Sequence, residues 1–240
     1  EQGVPASAIR WIKPREAWWL NRRFHQPHVL LPDFYRGMAI QFEAMAGASS
    51  IEDLCARLEA QGFFLRVDPG VAPTMLHGAV ISEAELAMLR RIEDVVRLGH
   101  VRRIERNEIV LDQGRIPTSE ATMHVHCASR GLARPPVRPI FEPGRVTIQP
   151  IMWGFACYQF ALLGVVEAIV ESDEEKNRLC PPIAYWDVNT DYLSAFLATL
   201  ANERARAAHP ALANWAKETR LNPLGAIGRY RDAPAVVETR

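Results

Sequence analysis

The sequence IRWIKPREAWWLNRR, residues 9–23, places a short hydrophobic run directly before a cluster of cations and indoles. Residues 9–13 are typical of a short buried strand, which Pro14 ends. Upstream, Gly3 followed by Pro5 is typical of a helix end. Helix, loop and strand in this order form half of a βαβ unit, so the pattern predicts an α/β fold with a parallel sheet.

Cations gather at the carboxyl end of this predicted strand. Lys13 and Arg15 stand there, with three further arginines nearby. In a nucleotide-binding βαβ unit, side chains just past the second strand distinguish the 2′-hydroxyl of NAD from the 2′-phosphate of NADP, and a cation favours the phosphate. Because a guanidinium can bind a phosphate in a bidentate manner, Arg15 is the better candidate. The alternative is a solvated loop whose cations hold Glu16.

The run WIKPREAWWLNR, residues 11–22, resembles the NADP-binding half of flavoproteins with two dinucleotide-binding domains. The resemblance is to oxidoreductases akin to flavin-containing monooxygenases. In that family a G-x-G-x-x-G helix precedes this strand, and an FAD domain precedes the helix. The fourteen glycines of this chain nowhere form G-x-G-x-x-G. The resemblance therefore implies the carboxyl-terminal portion of a longer protein, and we expect this fragment to bind neither cofactor tightly alone.

The overall composition disfavours several classes of partner. The chain has 240 residues, 48% of them hydrophobic, which is enough for a sizeable core. Its 28 Lys and Arg balance its 28 Asp and Glu, so nucleic acid and anionic membranes are not the expected partners. The four cysteines lack zinc spacing and indicate reduced thiols in a cytoplasmic protein. We expect a small-molecule substrate, and composition leaves the oligomeric state open.

The middle of the chain predicts a helical insertion followed by an antiparallel meander. Helices are expected from Asp33, from the Ser49-x-x-Glu52 motif and from the Ser82-x-x-Glu85 capping box. Such an insertion is suited to lining or covering a substrate cavity. Three short strands are then predicted within residues 100–117, separated by turn residues.

A further strand is predicted at residues 122–128, TMHVHCA. In the family that the chain resembles, the corresponding strand ends in A-T-G, where small residues let the backbone approach the dinucleotide. The resemblance therefore implies that Ala128 and Ser129 lie at the cofactor. His124 and His126 share one face of this strand. They are candidates for a metal site, for contacts with a cofactor or carboxylate, or for ordinary core histidines.

A proline-rich linker, residues 134–139, predicts a domain boundary. Residues 1–133 are interpreted as a partial NAD(P)-binding domain, Rossmann-like, with the helical insertion and meander. Residues 134–240 are interpreted as the mostly helical carboxyl-terminal part of an FAD-binding domain. A strand is predicted at residues 145–149, and an apolar helix at residues 151–171 is either buried or long enough to span a membrane.

By resemblance, the amino-terminal end of this apolar helix approaches the isoalloxazine and ribityl parts of FAD. Gln149, Ile151 and Met152 are the implied neighbours. Unpaired backbone N–H groups and the helix dipole at such an end favour electron-rich oxygens.

Together these features predict a flavin-dependent oxidoreductase that passes hydride from NADPH to FAD and is monooxygenase-like. The cofactors carry this chemistry, so no general acid or base is assigned to a residue. The alternative from a different class is a non-catalytic helical binding module with a degenerate nucleotide-binding fold. A third, weaker hypothesis is a metal-dependent hydrolase that uses His124 and His126.

Overall fold

The computed structural model describes residues 3–26, 31–127 and 136–222, and this part of the chain is a mixed α/β protein. Its helices are α1 Leu31–Gly47, α2 Ile51–Ala60, α3 Glu83–Leu89, α4 Ala156–Ile169, α5 Asp173–Leu179, α6 Asn189–Ala207 and α7 Pro210–Glu218. Its strands are β1 Arg10–Ile12, β2 Ala17–Asn21, β3 Phe64–Leu65, β4 Met75–Ile81, β5 Asp94–Val96, β6 Val101–Ile104, β7 Glu108–Leu111, β8 Gly114–Pro117, β9 Phe141–Glu142 and β10 Arg145–Val146.

The strands of the described residues form small separate sheets. Strand β1 pairs in parallel with β5, and β2 pairs antiparallel with β3 and parallel with β4. Strands β6, β7 and β8 form the predicted meander, while β9 and β10 form a short hairpin. The predicted strand at the start of the chain and the predicted meander are both confirmed.

Strand β2 was not predicted, since the sequence analysis assigned no strand to the indole run and gave a solvated loop as the alternative for its cations. Trp18 and Leu20 alternate with more exposed residues, and both are almost completely buried. This period of two is the pattern of a half-buried strand. The neighbouring cations obscured the pattern, because charged residues on both sides made the whole stretch look solvated.

The helix predicted at residues 151–171 begins later, at Ala156. The buried Gln159 explains the difference, because its amide needs hydrogen-bond partners. Its Oε1 accepts the N–H of Ile151 at 2.9 Å, and its Nε2 donates to the carbonyl of Gly154 at 2.7 Å. These bonds hold a turn before the helix, and Phe155 takes a left-handed conformation at the helix start, with φ of 50°.

The strand predicted at residues 122–128 is not formed by its described part, residues 122–127. Met123 and Val125, which were expected to be buried, are 85% and 74% exposed. In the described part of the chain no helix combines the length and the apolar composition needed to cross a membrane.

Two large hydrophobic clusters hold the fold together. The first contains side chains of β2, α1, α2 and β4, together with Tyr192 from α6. The second is formed around α4 and includes side chains of α5 and α7. Tyr192 therefore connects the two halves of the chain, because it belongs to α6 and packs among side chains from the first half.

Candidate functional site

The loop between β1 and β2 carries two cations into two different charge networks. In the inner network, Lys13 Nζ contacts Glu16 Oε2 at 2.5 Å, and both side chains are buried. Glu16 also accepts hydrogen bonds from Arg97, whose Nη2 lies 2.9 Å from Oε1. Arg97 Nη2 in turn contacts Asp68 at 2.7 Å. A buried charge requires this kind of pairing, because its transfer from water is costly.

The outer network centres on Asp187, in the segment between α5 and α6. Arg15 Nη1 lies 3.0 Å from both carboxylate oxygens, and Arg15 Nη2 donates to the carbonyl of Thr74 at 3.0 Å. His77 Nε2 lies 2.6 Å from Asp187 Oδ1. We call Arg15, His77 and Asp187 the Asp187 cluster. It joins side chains that are 110 and 172 positions apart in the chain.

Backbone hydrogen bonds fix the position of Asp187. Its N–H donates to the carboxylate of Asp191 in α6 at 2.8 Å. Its carbonyl accepts the N–H of Leu76, the second residue of β4, at 2.9 Å. The aspartate is therefore held between a helix end and a strand, which keeps its carboxylate beside His77.

Trp186, which directly precedes Asp187 in the chain, contacts a second indole. Trp153 and Trp186 have ring centroids 4.2 Å apart, and both rings are partly exposed. Gly78 follows His77 in β4 and has a φ of 71°. A β-carbon at Gly78 would lie 3.3 Å from Trp186 Nε1, so the absent side chain gives the indole room. Trp153 also packs edge-on against Tyr192, with centroids 5.3 Å apart.

The predicted cofactor residues fall in different places. Lys13 and Arg15 lie in the loop that follows β1. Gln149, Ile151 and Met152 are all buried in the second half of the chain.

The amide of Gln149 is fully engaged with one residue: its Oε1 accepts the N–H of Arg138 at 3.2 Å, and its Nε2 donates to the Arg138 carbonyl at 2.7 Å. The N–H of Ile151, which was expected to be available at a helix end, is bonded to Gln159. Ala128 and Ser129 lie outside the described residues.

His77 and Asp187 were missed by the sequence analysis. His77 lies in a stretch whose pattern did not distinguish strand from helix, and Asp187 has no local motif around it. The spacing of 110 residues between them carries no sequence signal. The one indirect signal was Gly78, since a glycine inside a strand often marks a close approach of another group.

Other chemically interesting side chains are less suited to a reaction. His124 and His126 are exposed, and among the described residues no group of three or more His, Cys, Asp or Glu side chains could hold a metal ion. Burial raises the pKa of the Cys55 thiol to about 12 and that of Cys180 to about 11. Neither thiol is therefore poised as a thiolate nucleophile near neutral pH.

Comparison with known proteins identifies relatives of undescribed function. The chain is 36% identical over 217 residues to the uncharacterized proteins Mb2023 of Mycobacterium bovis and Rv2000 of Mycobacterium tuberculosis. The match covers 90% of this chain and 40% of each relative, so the chain spans 40% of the length of these curated proteins. The chain matches no protein-family profile and no solved structure.

Proposed function

We propose that the chain is part of an FAD- and NADP-dependent oxidoreductase, monooxygenase-like, which reduces its flavin with NADPH. It would supply a Rossmann-like portion of the NADP-binding domain and the helical end of the FAD domain. One observation carries the proposal: β1 runs parallel to β5, and Lys13 and Arg15 follow directly after the carboxyl end of β1. Ligands of open parallel sheets bind outside this end of the strands.

The size of this parallel pair gives further support. Parallel strands occur almost always inside larger sheets that are covered on both faces. Within the described residues, β1 and β5 form a sheet of two strands that pair over three residues each. Such a pair fits a larger parallel sheet completed by other segments of a longer protein, and the curated relatives are long enough to contain them.

The two cations have different capacities to bind a phosphate. The Lys13 side chain is 7% exposed and is held by Glu16, so it serves to position the loop. The Arg15 side chain is 32% exposed, and its Nη1 donates to both carboxylate oxygens of Asp187, a charge-assisted contact that a phosphate can also make. A bound 2′-phosphate would therefore exchange with the Asp187 carboxylate at the guanidinium.

The test uses the protein expressed from its complete gene. Its visible absorption spectrum is recorded, and it is then titrated anaerobically with NADPH and with NADH. We expect a flavin band that NADPH bleaches at lower concentration than NADH. Arg15→Gln should weaken the binding of NADPH by roughly one to three kcal/mol, the range for a lost charge-assisted hydrogen bond. The binding of NADH should stay nearly unchanged.

Arg10→Gln is the matched control. Arg10 lies at the opposite end of β1, is 40% exposed and pairs with Asp94, so its loss removes an equal charge away from the proposed site. The Arg10→Gln protein should prefer NADPH over NADH to the same extent as the unmodified protein. Equal losses for both coenzymes in Arg15→Gln would contradict the assignment of Arg15.

A non-catalytic binding module is the second candidate, and one observation favours it. Both Lys13 and Arg15 are already paired with carboxylates of the same chain, so neither cation needs a ligand to balance its charge. A colourless complete protein that takes up no FAD when it is supplied would favour the module over the oxidoreductase.

A further inference from the structure

We propose that a cavity lined by α4, α6 and α7 binds a small monocarboxylate whose apolar body is about the size of a benzene ring. The cavity has a volume of about 170 Å³. A cavity of roughly 150 Å³ in another protein holds benzene. None of the residues to which the flavoprotein proposal assigns a cofactor contact lines this cavity, so the site is separate from that proposal.

The lining of the cavity is largely aliphatic. Each of the three helices contributes side chains three or four positions apart, which therefore share one face of their helix. The aliphatic part of the wall consists of Leu162, Ala207, Leu212, Ala213 and Ala216. Such a wall favours a hydrocarbon body, because it offers no side-chain hydrogen bond to a polar one.

Tyr158 adds a hydroxyl group to this wall. Its ring stacks on Trp215 of α7, with centroids 5.6 Å apart and an angle of 11° between the planes. Among the residues that the structure describes, the hydroxyl has no hydrogen-bond partner. Burial and the nearby Glu203 carboxylate raise the pKa of Tyr158 to about 12. The hydroxyl therefore keeps its proton near neutral pH and can donate it to an oxyanion.

The formal charges at the cavity leave one positive charge without a counterpart. Glu203, Arg206 and Lys217 line the cavity. Glu203 Oε1 accepts a hydrogen bond from Arg206 Nη2 at 2.7 Å, so these two charges offset each other. Lys217 is exposed in the last turn of α7, and no ion pair is found for it in the described part of the chain. One remaining cation favours a ligand with one negative charge.

The guanidinium of Arg206 has a further donor. Its side chain is 4% exposed, and its Nη1 donates to the carbonyl of Leu179 at 3.2 Å. Its Nε is buried and has no hydrogen-bond partner within the described ranges. Buried donors are rarely left unpaired, so a guanidinium with a spare N–H at the wall of a cavity favours an oxyanion as the occupant.

These features together distinguish a monocarboxylate from other small ligands. A cation would be repelled by Lys217, which has no carboxylate beside it. An uncharged hydrocarbon would fit the wall but would offer no acceptor to the Tyr158 hydroxyl. A dianion such as a phosphate ester would carry a second negative charge that Glu203 opposes. A carboxylate on an apolar body satisfies the wall, the hydroxyl and the net charge.

The test compares three probes that share one ring and differ in charge: benzoate, benzyl alcohol and benzylamine. Each is titrated against the protein expressed from its complete gene, and binding is measured by ligand-observed NMR. We expect benzoate to bind with a dissociation constant on the order of 1 mM, which a ligand of this size can reach. The alcohol and the amine should bind about tenfold more weakly, because they lose the charge-assisted contacts.

Three substitutions separate the charge of the site from its shape. Lys217→Gln and Tyr158→Phe should each weaken benzoate by about fivefold and leave benzyl alcohol unchanged, because the apolar wall and the stacked ring remain. Unchanged binding of the alcohol also shows that these variants keep an intact cavity. Ala213→Leu should weaken both probes by at least about tenfold, because the larger side chain fills the space that the ring needs.

Arg204→Gln is the matched control. Arg204 is exposed on α6 and does not line the cavity, so its loss removes the same charge from the same region of the chain. It should bind benzoate like the unmodified protein.

Four results would each overturn the proposal. They are the absence of benzoate binding, equal binding of benzoate and benzylamine, full benzoate affinity in Ala213→Leu, and equal losses in Arg204→Gln and Lys217→Gln. Because these titrations involve neither FAD nor NADPH, their failure is distinct from a failure of the flavoprotein proposal, which is read from the flavin spectrum.

Discussion

The inner and outer charge networks begin in the same loop but differ in their access to water. The side chains of Lys13 and Glu16 are 7% and 2% exposed, whereas those of Arg15 and Asp187 are 32% and 20% exposed. The two cations are separated by a single proline. In this loop the side chain of Lys13 therefore points into the protein, and that of Arg15 lies nearer the surface.

This difference separates a structural role from a functional one. A buried ion pair offsets its desolvation only when both partners are present, so neither partner can leave to bind a ligand. A partly exposed pair can exchange one partner for water or for another anion at modest cost. For this reason we assign ligand chemistry to the outer network and stabilisation of the loop to the inner one.

Glu16→Gln should have the largest effect on stability. It leaves Lys13 buried without an opposite charge beside it and also removes the carboxylate that holds Arg97. We expect the free energy of unfolding to fall by about 3–5 kcal/mol, measured by urea denaturation. Glu120→Gln is the control, because Glu120 pairs with Arg106 and both side chains are more than 70% exposed. Glu120→Gln should lower the free energy of unfolding by less than about 1 kcal/mol. Equal losses for both substitutions would contradict the distinction between the buried and the exposed ion pair.

Asp187→Asn should have a smaller effect. Arg15 and His77 lose a charged acceptor, but both side chains are sufficiently exposed to be hydrated instead. We expect a loss of about 1–2 kcal/mol in the same denaturation experiment. Adding Arg15→Gln to this variant should cost less than Arg15→Gln does alone, because the shared interaction is already gone. Additive losses would mean that the two side chains are not coupled.

His25 sharpens the comparison, because it is partly buried and no ion pair is found for it among the described residues. Burial lowers its pKa below the usual 6.5, and the hydrogen bond between Nδ1 and the carbonyl of Asn21 offsets part of this shift. Below about pH 6.5 the unfolded chain therefore binds a proton that the folded protein does not, so stability falls as the pH falls. His25→Gln should flatten this dependence in urea titrations across the range, and unchanged slopes would contradict the effect of burial.

Local chemistry made several elements predictable from the sequence. The Ser82 capping box is present with both of its hydrogen bonds, since all of its groups lie within four consecutive residues. The meander was predicted because its turns lie between its own strands. Strand β5 was missed, because its three residues continue the hydrophobic pattern of α3 and its partner β1 is more than 80 positions away.

The sequence by itself determined the positions of most helices, the meander and the presence of two cations after β1. These features depend on side chains that are close along the chain. The tertiary structure decided that Lys13 is buried, that Arg15 binds Asp187 and that His77 contacts the same aspartate. Those outcomes require segments from both halves of the chain to pack together, and burial then determines whether a charge stabilises the fold or remains accessible to a ligand.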